Sequence, residues 1–178
     1  MDTFKAHFPS RVDTWLAFSS IIFVTNVWAI INILRAIPSW ILSRTIWEMI
    51  GIISYPLAFA LLESIVFLIG LVVLAAIFPG KLLRESFVAQ GSLAGLLATL
   101  GMVLAHLYGK DFGIWSVSGF GIYVLVLIGI ILISWILIYF FKRLKSVVES
   151  IAERLTPLST VYLTLNISSL VVVVIRNI

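Results

Sequence analysis

The chain has 178 residues, of which 62% are hydrophobic and only 11% charged. A water-soluble domain of this size carries about a quarter of its residues as charges, so this composition excludes a soluble globular fold. The net charge of +4 would point to nucleic acid in a soluble protein. Here the basic residues sit at the ends of apolar blocks, where they act as topology signals and anionic-lipid contacts, and no nucleic-acid partner is expected.

The absence of cysteine removes disulfides, thiolate metal sites, iron–sulfur clusters and c-type haem attachment. His7 and His106 are too few to ligate haems in a helix bundle, so no metal and no cofactor is expected. The apolar residues fall in blocks of about 20, the length needed to cross a hydrocarbon layer roughly 30 Å thick. These blocks are apolar all round, whereas an amphipathic soluble helix would show a polar face at a 3.6-residue period. The expected fold is therefore all-α: one membrane domain, residues 1–178, built as a polytopic helix bundle.

The first span is predicted over 12–34, led by Lys5 and Arg11. It is too long for a signal-peptide apolar region and lacks a small-residue cleavage site. Residues 36–49 read as a short interfacial helix: Ser39 follows Pro38 as a cap, Trp40 and Trp47 share a face, and Arg44 and Glu48 pair at i,i+4. The second span is predicted over 50–78, with Pro79-Gly80 as its stop; it is long enough to require tilt or a bend at Pro56. The third runs over 87–108, and the fourth over 120–141 after a stretch rich in glycine and aromatics. Gly119-Phe120-Gly121 within that stretch lacks the rest of a dinucleotide fingerprint.

Residues 142–156 open with Lys142, Arg143 and Lys145 and carry apolar residues at helical spacing. They read as a surface helix ended by Pro157, with the three basic residues contacting lipid headgroups. The segment 158–175 alternates polar and apolar residues, a strand pattern in water. In a bilayer an unpaired strand leaves backbone groups unsatisfied, so a helix is predicted. The count is five spans, with four plus a re-entrant or surface C-terminal segment as the alternative. Asn166-Ile167-Ser168 fits a glycosylation sequon but lies inside this apolar block.

Five spans place eight basic residues (Lys5, Arg11, Lys81, Arg84, Lys142, Arg143, Lys145, Arg154) on one side and four (Arg35, Arg44, Lys110, Arg176) on the other. Positive-inside then predicts a multi-pass protein of the plasma (inner) membrane with a cytoplasmic N-terminus.

Glu63 is the acidic residue set deepest in an apolar block. A carboxylate in lipid costs several kcal/mol, so it must face protein or water, or be protonated. Helical spacing groups Pro56, Ala60, Glu63, Phe67 and Gly70 on one face, with Ser64 beside them. Asn26, Asn32 and Asn166 are the candidate polar partners, and Thr160, Thr164 and Ser168 form a small polar stripe. Together these make a possible ion, proton or polar-contact site; a hydrogen bond from Glu63 to a neighbouring helix is the structural reading of the same residues.

In the third span, Gly91 and Gly95 stand at GxxxG spacing with Ala98, Gly101 and Ala105 on an adjacent stripe. Such residues let helix backbones approach closely, and a bulky Ala98→Leu is expected to disrupt the bundle. His106, Tyr108, Lys110 and Asp111 cluster at the span exit without a paired nucleophile or metal-ligand set, and read as an interfacial anchor.

No catalytic constellation is present, and no enzyme activity is expected. The leading reading is a helix-bundle subunit of a larger membrane assembly, partnered by lipid and by other membrane chains or itself. The alternative is an oligomeric ion or proton channel, or a small-solute transporter, whose pathway passes Glu63, Asn26, Asn32 and the Thr160–Ser168 stripe. An intramembrane enzyme acting on lipid has almost no positive support.

Overall fold

The computed structural model describes residues 8–77, 83 and 85–178. The Pro79-Gly80 stop, and Lys5, His7, Lys81 and Arg84, lie outside the described residues. Five helices are long and apolar enough to cross a membrane: α1 (Arg11–Ile41), α2 (Ile46–Ile77), α3 (Phe87–Tyr108), α4 (Val117–Phe140) and α5 (Lys142–Asn177). The protein is thus an all-α bundle of five potential spans.

Local chemistry sets the helix ends. The Ser10 hydroxyl caps α1 by accepting from the Asp13 N–H at 3.0 Å and donating to the Asp13 carboxylate at 2.7 Å, which satisfies one orphan donor of the first turn. Ser116 does the same for α4, accepting from the Gly119 N–H at 3.0 Å. The connection from α3 to α4 turns at Gly113, whose φ of +62° suits a residue without a Cβ.

Two predicted interfacial helices are not separate elements. Residues 36–49 divide between the last turns of α1, a short turn, and the start of α2. Residues 142–156 are continuous with 158–175 in α5. In both cases the sequence predicts a break at a proline, with Ser39 after Pro38 capping a new helix and Pro157 ending one. Pro38 and Pro157 instead lie inside α1 and α5. A proline removes one backbone hydrogen bond, and a helix that is packed or lipid-embedded on either side of it has no competing solvation to gain by ending. Ser39 accordingly caps nothing and donates to the Ala36 carbonyl within α1. The expected Arg44–Glu48 ion pair is replaced by a cap. The Glu48 carboxylate accepts from the Thr45 N–H at 2.9 Å, and the Thr45 hydroxyl faces back to the Glu48 N–H at 3.4 Å.

Contacts along the bundle fix the direction of each helix. Ser20 meets Ser92 and Trp28 meets His106, so α1 and α3 run parallel. Ser19 meets Ser159 and Phe23 meets Tyr162, so α1 and α5 also run parallel. Thr25 meets Ser64, with Ile33 and Leu57 in a common cluster, which sets α2 antiparallel to α1. Tyr123 donates to the Gly101 carbonyl and Trp135 Nε1 to that of Gln90, which sets α4 antiparallel to α3. Strict alternation of five helices follows.

The fifth helix covers the full length of the bundle. At one end Lys145 Nζ donates to the Glu85 carbonyl; at the other Arg176 reaches the Trp47 and Glu48 carbonyls and Asn177 bonds the Tyr55 hydroxyl. At 36 residues, α5 is about 54 Å long, well beyond the hydrocarbon thickness, so its charged first turns project past the apolar zone. Lys142, Arg143 and Lys145 sit on that projection.

Helix α1 is the hub. It packs against α2, α3 and α5, and α5 also packs against α2. Its buried positions Ser19, Ile22, Asn26, Ala29 and Ile33 follow the heptad-like spacing of a left-handed seam, matched on α5 by Ala152, Ser159, Asn166 and Ser169. Helix α4 is the outlier: its backbone approaches α3 and α5 but neither α1 nor α2, it reaches the core cluster of Ala17 and Leu71 only through Ile131 and Trp135, and it buries only Ser134, Trp135 and Ile138.

Candidate functional site

Because the α4 backbone lies close to α3 and α5 alone, a cleft opens between α4 and α2, floored by α1 and α3. Three cavities of about 630, 280 and 520 Å³ follow one another along it. The first two share Thr25, Glu63 and Met102, and the last two share Val66 and Phe67, so the cleft is continuous. Along α2 it extends from Pro56 to Leu74, about 27 Å at helical rise. Pro56, Ala60, Glu63, Phe67 and Gly70, grouped on one face by spacing alone, all line it.

Glu63 lies near the middle of α2 and is exposed to the cleft. It has no ion-pair partner among the described residues, where Lys145–Glu149 is the sole ion pair. Ser64, next to it, is fully buried against α1: its hydroxyl lies 2.8 Å from that of Thr25 and donates to the Ala60 carbonyl at 2.7 Å. That contact clamps α2 to α1 and fixes the helical phase that points Glu63 outward.

The cleft is asymmetric about Glu63. On one side the 630 Å³ cavity leads to the α3–α4 loop and is lined by Trp28, Asn32, Phe59, His106, Trp115 and Tyr123. On the other side the lining is apolar: Val66, Phe67, Leu71, Ile131 and Trp135. The mouth of the larger cavity is shaped by Gly109, where a Cβ would fall 2.3 Å from Trp115 Nε1; the missing side chain lets the indole lie over the end of α3.

The predicted polar residues do not form one pathway. Asn32 lines the same cavity as Glu63 and donates to the Trp28 carbonyl at 3.1 Å. Asn26 and Asn166 are fully buried on the α1–α5 seam instead. Asn26 Nδ2 donates to the Ile22 carbonyl at 2.8 Å, while Asn26 Oδ1 and both amide atoms of Asn166 have no partner among the described residues. Thr160, Thr164 and Ser168 are exposed on the outer face of α5 and donate to carbonyls four residues back. Within one chain they therefore do not share the cavity of Glu63. A four-residue spacing reports which residues share a face but carries no information on where that face points.

The small residues of α3 divide three ways. Gly91 and Gly95 meet α1, where a Cβ would lie 3.2 Å from Ala17 Cβ and 2.7 Å from Ile21 Cγ1. Gly101 meets α4 at Leu127 and Tyr123. Ala98 and Ala105 line the cleft, so Ala98→Leu would fill space there rather than wedge the bundle apart, contrary to the expectation from spacing. The residues missed by sequence reasoning are the aromatics Trp28, Trp115 and Tyr123. Their sequence signal was only membrane-interface tryptophan and tyrosine, which does not distinguish an anchor from a cavity wall.

Among the described residues no group of three histidine, cysteine, aspartate or glutamate side chains could hold a metal ion. Compared with known proteins, the sequence matches no family model, and neither a curated protein nor a solved structure matches it. The fold and cleft therefore define a class only: an integral-membrane helix bundle with a cleft between α2 and α4 bearing a carboxylate.

Proposed function

We propose that the protein is a small-solute carrier that binds its solute in the cleft between α2 and α4 at Glu63. The observation that carries this reading is the carboxylate itself. It is held at mid-span, without an ion-pair partner among the described residues, at the inner end of a 630 Å³ cavity. That volume falls in the range of small-molecule sites, which are mostly apolar with a few placed polar groups. An ionisable side chain at this depth is expensive and marks a functional contact by default. The apolar continuation beyond Glu63 argues for a carrier over a channel, because a channel needs polar lining on both sides. The basic excess on the side that holds Lys142, Arg143, Lys145 and Arg154, where α1 also starts, supports an N-terminus in the cytoplasm of a plasma membrane.

Glu63→Gln keeps the shape and removes the charge. In proteoliposomes it is expected to abolish solute-coupled proton or cation flux while the protein elutes as the wild type does. Wild-type flux in the Gln variant would refute the reading.

A second reading is favoured by the length of the cleft, about 27 Å from Pro56 to Leu74. This is close to the hydrocarbon thickness and suits a helix of another chain, making the protein a subunit of a larger assembly. Native mass spectrometry separates the two. A subunit comes out of mild detergent with other chains in fixed stoichiometry, whereas a carrier comes out alone or as a homo-oligomer.

A further inference from the structure

We infer that the solute is a lipophilic organic cation of the quaternary ammonium or phosphonium type; this rests on the carrier reading and names its substrate class. The charge in the cleft is one-sided. Glu63 is its sole acid, no lysine or arginine lines any of its three cavities, and His106, near the α3–α4 loop, is the one basic side chain among the lining residues. An anion would meet Glu63 in a low-dielectric setting where like charges repel strongly. A neutral solute would leave the carboxylate desolvated and unpaired, or force it to take up a proton and surrender its charge.

The walls add the second half of the recognition. Trp28, Phe59, Trp115, Phe120 and Tyr123 surround the cavity that ends at Glu63, and aromatic rings attract cations through the negative potential of their faces. A small hydrated metal ion gains little from such walls, because beyond Glu63 only Thr25, Asn32 and Tyr123 offer side-chain oxygen in place of its water. A cation that carries its own apolar shell sheds little water on entry, fills the volume, and gains both the carboxylate and the rings.

The test uses the full chain in lipid nanodiscs, with tetraphenylphosphonium as the cation and tetraphenylborate as its anionic isostere; empty nanodiscs are subtracted to remove partitioning. The expected result is saturable phosphonium binding that weakens by about tenfold or more in Glu63→Gln, survives in Glu63→Asp, and weakens in Trp115→Leu. Trp115 is exposed on the α3–α4 loop, so that variant folds even if changes on α2 do not. Saturable binding of both ions with equal affinity, blocked by Ala98→Trp, would overturn the cation assignment and leave the cleft as a solute site. Phosphonium binding untouched by Glu63→Gln and Trp115→Leu would also overturn it. Saturable binding of neither probe would overturn the cation assignment, while coupled flux that depends on Glu63 would still uphold the carrier.

Discussion

Gly95→Leu is expected to lower the unfolding temperature sharply or prevent recovery of a monodisperse protein, whereas Gly129→Leu leaves both unchanged. At Gly95 a Cβ alone would stand 2.7 Å from Ile21 Cγ1. Ile21 is 1% exposed and packed in the same cluster as Ala17, Leu71 and Ala94, so it yields only toward the 280 Å³ cavity that it and Gly95 both line. The far end of the leucine can enter that cavity, but its Cβ sits at the helix contact and pushes α3 from α1 there. Overpacking of this kind costs about 1–3 kcal/mol even where the backbone can adjust. In a bilayer there is no hydrophobic drive to restore the contact, since lipid chains are as apolar as the side chains they replace. Gly129 on α4 has nothing within 4 Å of an added Cβ, so leucine there meets open space. Thermal unfolding in detergent, followed by size-exclusion chromatography, reads both variants. Equal melting of the two would remove the α1–α3 close approach from the account.

Asn166→Leu is expected to stabilise the protein, which is unusual for a change at a fully buried site. Both amide atoms of Asn166 are buried without a partner among the described residues, and the residue is 0% exposed. An unsatisfied buried polar group costs about 1–3 kcal/mol relative to its solvated state, and an apolar side chain of similar shape avoids that cost. Unfolding in dodecyl sulfate, where separated helices regain solvation, should therefore need more denaturant for the leucine variant. Asn166→Asp should need less, because a charge replaces a dipole in the same space. Destabilisation by leucine would mean that the Asn166 amide is paired, with Asn26 across the α1–α5 seam as the nearest candidate by heptad register.

The five-helix class was legible because hydrophobic length is a strong physical signal: α3 begins at Phe87 and ends at Tyr108, as its apolar run indicates. Helix ends at prolines were not legible. Pro38 and Pro157 are potent breakers in water, but here tertiary and lipid contacts on both sides hold the helix through them. The facing of polar residues was only half legible. The α2 face that carries Glu63 follows from the 3.6 period, yet nothing local tells that this face borders a cleft, that Asn26 and Asn166 turn into the α1–α5 seam, or that Thr160 and Thr164 turn outward. Those facts depend on which helix lies beside which, and α4 standing off α2 is a property of the whole packing arrangement. The seam itself has a sequence trace: Ser19 and Asn26, and Ser159 and Asn166, are each seven apart, the spacing that places small and polar residues on one helix–helix contact.

The arrangement that creates the cleft can be tested with paired cysteines, since the native chain has none. Ser19 and Ser159 hydroxyls lie 3.0 Å apart across α1 and α5, and Ser20 and Ser92 hydroxyls 2.9 Å apart across α1 and α3. Both pairs, changed to cysteine, should close disulfides under mild oxidation in the membrane, while Phe59→Cys with Val124→Cys, on opposite walls of the cleft, should stay reduced. Closure of the Phe59–Val124 pair, with the Ser19–Ser159 pair left as free thiols, would contradict both the parallel fifth helix and the opening at Glu63.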